Sequence, residues 1–161
     1  MPKLWDGGFA RFANRITSEG VGQGGPLRTN VEITERLLED FNRDGVEGAL
    51  PYFADDVEVY DPDLPESTYR GRAALLRLLE LMLSGAEETQ VRGYELLPTG
   101  DRVVALVHTY SRGEGGDLEV EVRDAHTMTF RDGKIVHWRL YLDRVEALTD
   151  AGLDPELARR R

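Results

Sequence analysis

The chain has 161 residues, 40% of them hydrophobic and 31% charged, with a formal net charge of −10 and no cysteine. That length suits one domain around one core, and the charge excludes a nucleic-acid binder, which needs a basic stripe to meet phosphates. Without Cys there is no disulfide, thiolate nucleophile or cysteine metal site. No apolar stretch reaches membrane-spanning length and no secretory leader opens the chain, so a cytoplasmic protein without a membrane partner is expected.

Residues 1–28 read as a flexible extension, with Gly20, Gly22, Gly24, Gly25 and Pro26 in one run and Trp5, Phe9 and Phe12 before it. A domain is expected over 29–153. Thr29 with Glu32 three residues on makes a capping-box start. Ile33, Leu37, Leu38 and Phe41 then recur at helical spacing up to Gly45. A short helix over 46–53 leads into a strand through Val57, Val59 and Asp61, which Pro62 and Pro65 end. The spacing of Leu75, Leu78, Leu79 and Met82 predicts a helix over 72–83, with Gly85 past its end.

From there the pattern is antiparallel sheet, with strands over 91–97, 102–111, 117–130 and 134–142. Thr99-Gly100-Asp101 and Asp132-Gly133 supply turns. Val145, Leu148 and Leu153 mark a last short helix, and 154–161 reads as a tail. The order is α+β: a curved, mostly antiparallel sheet packed on three N-terminal helices, with a short C-terminal helix. Such a sheet closes over a pocket on its concave face.

Strand alternation turns Asp61 to the side of Val57 and Val59. On the long strand Leu118, Val120, Val122, Asp124, His126, Met128 and Phe130 share one face. Ionisable groups aimed into an apolar interior are costly unless a cavity or partners accommodate them, so Asp61, Asp124 and His126 are the catalytic candidates. Asp61 is either a general base raised by burial or a strand-ending residue bonded to nearby backbone. His126 either donates to a developing oxyanion or is a satisfied core histidine. Asp124 either orients His126 or pairs with an arginine at the pocket rim.

Leu37, Val59, Met82, Met128, Trp138 and Leu140 are expected to line the pocket and hold an apolar ligand. His108 is placed with them, although its strand is apolar on both faces and alternation does not set its direction. His137 falls on the outer sheet surface. No two of the three histidines have a metal-motif spacing, and there is no nucleophile elbow or phosphate loop.

Two stretches, Phe53-Ala54-Asp55-Asp56-Val57-Glu58-Val59-Tyr60-Asp61-Pro62 and Tyr69-Arg70-Gly71-Arg72-Ala73-Ala74-Leu75, resemble the nuclear transport factor 2-like superfamily in its SnoaL-like branch. So does the run from Gly133 to Asp143 with its continuation to Leu148 and Gly152-Leu153. The resemblance spans about 30–153. It implies a cone-shaped α+β fold, a pocket for a small apolar molecule, no cofactor, and a homodimer through the outer sheet face.

Ketosteroid isomerases and polyketide cyclases are relatives. By the isomerase pattern Asp61 stands where the proton-shuttling base lies, and His126, four before Phe130, where an acid holds the oxyanion. Leu37 replaces the oxyanion tyrosine, which counts against steroid isomerisation. The limonene epoxide hydrolase pattern fails at Arg102-Val103-Val104 and at Leu140, where its carboxylates are missing. The resemblance therefore points to an acid–base isomerase or cyclase acting on a carbonyl compound, or to a non-catalytic binding or scaffold module of the same fold.

Overall fold

The computed structural model describes residues 15–16 and 26–159. The glycine run and the aromatic residues Trp5, Phe9 and Phe12 lie outside the described residues. The first helix, α1, spans Pro26–Asp44 and α2 spans Val46–Ala49, continued by a 3-10 turn over Leu50–Tyr52. Pro26 opens α1, three residues ahead of the expected cap at Thr29; its missing N–H costs nothing where the first helical donors have no partner anyway. Helix α3 covers Arg72–Leu83, as its apolar spacing predicts, and α4 covers Arg144–Asp150.

Among the described residues seven strands form one sheet: β1 (Arg15–Ile16), β2 (Phe53–Tyr60), β3 (Thr68–Arg70), β4 (Ala86–Thr99), β5 (Arg102–Gly113), β6 (Glu119–Arg131) and β7 (Lys134–Tyr141). Their order is β1-β4-β5-β6-β7-β2-β3. All pairs are antiparallel except β1 with β4 and β2 with β7. The fold is thus α+β, mostly antiparallel, with its larger helices before the meander. Strand β2 stops at Tyr60, one residue before Asp61, and the short β3 carries too few residues to show a period.

Two cores sit on opposite faces of this sheet. On the concave face Val57, Val59, Leu75, Leu78, Leu96, Val103 and Ile135 are buried together with residues of α1 and α3. On the convex face Leu97, Val104, Leu106, Ala125 and Tyr141 meet Ala147 and Leu148 of α4. The C-terminal helix therefore lies across the sheet from the others. Residues 155–159, expected within a tail, form a 3-10 turn whose Leu157 is buried in this second core. No described helix is long and apolar enough to cross a membrane.

Candidate functional site

The concave face and helices α1 and α3 enclose a cavity of about 260 Å³. Helix α1 contributes Leu37, Leu38 and Phe41 by its 3–4 residue spacing, and α3 contributes Leu79, Met82 and Leu83. Alternate residues of β5, namely Ala105, Val107, Thr109 and Ser111, form one wall. Val122, Asp124, His126 and Met128 of β6 form the next, and Phe53 and Trp138 close the far side. Met82 and Val122 are exposed and mark the rim. Thr89 and Ser111 bring hydroxyl oxygens within 3.0 Å of each other.

Inside this apolar lining Asp124 and His126 stand side by side, because β6 turns alternate side chains inward and the two are two residues apart. The Nε2 atom of His126 lies 3.3 Å from Oδ1 of Asp124, with the two side chains 16% and 17% exposed. Alignment between them is poor: Oδ1 is buried and makes no well-formed hydrogen bond among the described residues. The indole N–H of Trp138 donates to Nδ1 of His126 at 2.9 Å. A ring nitrogen that accepts carries no proton, so the imidazole carries its proton on Nε2, facing Asp124.

Burial pushes the Asp124 carboxyl up, but the adjacent His126 ring and its N–H pull it down further, as do the residue's own backbone N–H and Arg144. The net result is a carboxyl below its ordinary value. Arg144 reaches this region from the convex side. Its Nε donates to the Asp124 carbonyl at 3.1 Å and a terminal nitrogen donates to the Val107 carbonyl at 2.8 Å. Burial pulls the Arg144 guanidinium below its usual value, and the positive charge of Arg123 adds to this. Arg144 was not among the sequence candidates, since nothing in a helix's first residue announces that it caps carbonyls of another strand.

Of the residues expected at the site, Asp124, His126, Leu37, Met82, Met128 and Trp138 come together. Four do not join this lining. Asp61 lies beyond the end of β2, where its Oδ1 accepts the backbone N–H of Asp63 at 2.9 Å and its own N–H donates to the Ser67 carbonyl. Alternation placed it inward, but Pro62 ends the strand and the carboxylate closes a turn. Val59 and Leu140 are core residues that do not border the cavity.

His108 points to the convex face, in register with Arg123 and 3.6 Å from Glu121. Its inward neighbours Val107 and Thr109 line the cavity instead. His137 is exposed and pairs in register with Glu58 and Thr129, on that same outer face. Among the described residues no three of His, Asp and Glu gather as a metal site.

A model of the SnoaL-like domain matches residues 34–138. The chain belongs to this family. Solved structures with the same fold include a protein described as a SnoaL-like polyketide cyclase from Jannaschia sp. CCS1, which is 20% identical. It covers 84% of this chain and 100% of its own length, with a TM-score of 0.65. An NTF2-like protein of unknown function from Burkholderia pseudomallei K96243 is 20% identical over 76% of this chain and 97% of its own, with a TM-score of 0.63. TerC, crystallised with polyporic acid, is 23% identical over 76% and 97%, with a TM-score of 0.62.

At these identities the likeness carries the fold, not the chemistry. No curated protein matches the chain. His126 and Leu37 both line the cavity, the latter with an apolar side chain.

Proposed function

We propose that this SnoaL-like protein binds a small apolar molecule, and that Asp124 and His126 perform cofactor-free acid–base chemistry on a carbonyl compound held between them. One observation carries the reading: among the described residues, the only two ionisable ones in an otherwise apolar and hydroxyl-bearing lining are adjacent. Forming an enolate near neutral pH needs a base at the α-hydrogen and a donor at the developing oxygen.

The Asp124 carboxylate takes the α-proton and the C–H electron pair moves into the enolate, whose oxygen accepts the N–H of His126. Returning that proton from Asp124 to a different carbon isomerises the substrate. Attack of the enolate carbon on a second carbonyl of the same molecule cyclises it: the C=O π pair becomes an alkoxide, which takes the proton back from Asp124. A carboxylate held below its ordinary value is a weak base, so the substrate hydrogen must be acidified by more than one neighbouring group. The binding of polyporic acid by TerC supports a small ligand in this fold.

A second reading, a non-catalytic dimeric ligand-binding module, is favoured by Leu37 at the place of a donor and by the same depressed carboxyl. Both readings include a homodimer through the convex sheet face. A bicyclic ketone separates them: 2-tetralone, whose C1 hydrogens are flanked by a carbonyl and an arene, is incubated with the protein in D2O. Deuterium incorporation at C1, followed by proton NMR, is expected to run well above buffer and to drop about 100-fold or more in Asp124→Asn. Binding of the ketone without faster exchange assigns the protein to the ligand-binding module.

A further inference from the structure

Among the described residues Asp124 and His126 are the only ionisable groups in the cavity lining, and no Lys or Arg joins them. The Trp138 N–H takes the Nδ1 lone pair, which leaves Nε2 as the ring's donor beside the negative charge of Asp124. Arg144 donates to backbone carbonyls behind the wall and does not line the cavity. A carboxylate entering this space meets the negative charge of Asp124 with no lysine or arginine in the lining to receive it, a costly juxtaposition in a poorly solvated site. Meanwhile Nε2–H and the carboxylate, 3.3 Å apart, place a donor beside an acceptor on one edge. The complementary ligand edge is a carbonyl oxygen beside an O–H or N–H.

We infer that the cavity selects uncharged apolar ligands bearing a carbonyl next to an O–H or N–H group, and excludes carboxylates. This rests on the ligand-binding reading above and narrows its substrate class. The carbonyl accepts from His126 while the neighbouring group donates to Asp124, and the apolar body fills the space between α1, α3 and the sheet. An enolised dicarbonyl and a primary amide both present this edge.

Three probes of nearly equal shape test it by calorimetry at pH 7.5: 2-naphthamide, methyl 2-naphthoate and 2-naphthoate. The amide has both halves of the edge, the ester lacks the donor, and the carboxylate adds the charge. The expected order is amide tightest, ester about 5- to 10-fold weaker, and carboxylate about 100-fold weaker than the amide. In Asp124→Asn the gap between amide and carboxylate is expected to shrink below about tenfold. The ranking in the unaltered protein decides the matter even if that variant fails to fold.

An ester as tight as the amide overturns the donor requirement. A carboxylate as tight as the amide overturns the exclusion of anions. If none of the three binds, the ligand-binding reading itself fails and this inference with it.

Discussion

Trp138 acts on two neighbours with different parts of one side chain. Its N–H fixes the tautomer of His126, and its ring stands 5.6 Å from the Phe53 ring, closing the deep end of the cavity. An aromatic residue at an inward β7 position reads as packing from sequence alone; the hydrogen bond it makes depends on the register Met128↔Trp138, which sets the indole beside His126. His108 shows the opposite limit. Its strand is apolar on both faces because Val104 and Leu106 lie under α4, so alternation carries no information there.

Burial pulls the imidazole of His108 below its usual value, and Arg123 and Arg92 act in the same direction against Glu121. A group that binds its proton more weakly when folded lets the unfolded chain gain protons first. Stability is therefore whole above about pH 6.5 and falls as the pH drops from there toward the folded value. Urea midpoints at pH 7.5 and 5.5 are expected to drop more in the wild-type protein than in His108→Gln, which cannot protonate. An equal drop would remove His108 from the account.

The junction of α1 with β4 depends on one side chain. Asn42, near the helix end, accepts the Val91 N–H and donates to the Val91 carbonyl, both at 2.8 Å. The β4–β5 register shifts between Val91 and Gly93, and the amide supplies a β4 residue with both hydrogen bonds from outside the sheet. Asn42→Ala leaves two backbone groups without these bonds and is expected to cost about 1–3 kcal/mol in urea unfolding. Val91 lines the cavity, so the same variant should weaken the binding of the naphthamide probe. A variant as stable as wild type would show that water replaces the amide.

Helix α3 and strands β5 to β7 were legible because their periods are long and their turns carry Gly-Asp and Asp-Gly signals. The Asn42 clamp, the three-residue β3 and the early start of β4 were not. Each depends on contacts between residues far apart in the chain, which no local pattern encodes.

At the scale of the molecule, the sheet has one face closed by the cavity and one only partly covered by α4. On that convex face Gln90 Oε1, Arg92 Nε, Arg112 Nε and Thr127 Oγ1 are buried without a hydrogen bond among the described residues. Native interiors rarely leave such groups unpaired, and they lie beneath the surface on which we propose that a second copy docks. Opposite charges alternate across it, with Arg92, Arg112 and Arg123 among Glu88, Glu119 and Glu121, a pattern that suits the proposed two-fold contact.

Parity on the long strand made the cavity wall readable from sequence. What covers the opposite wall was not readable, because charged residues at an interface look like any solvated surface. Sedimentation at micromolar concentration is expected to give twice the chain mass. Arg123→Glu, at an exposed position in register with His108, is expected to halve that mass and leave the urea unfolding of the single chain intact. A wild-type protein that sediments as one chain would show that the convex face has no part in assembly.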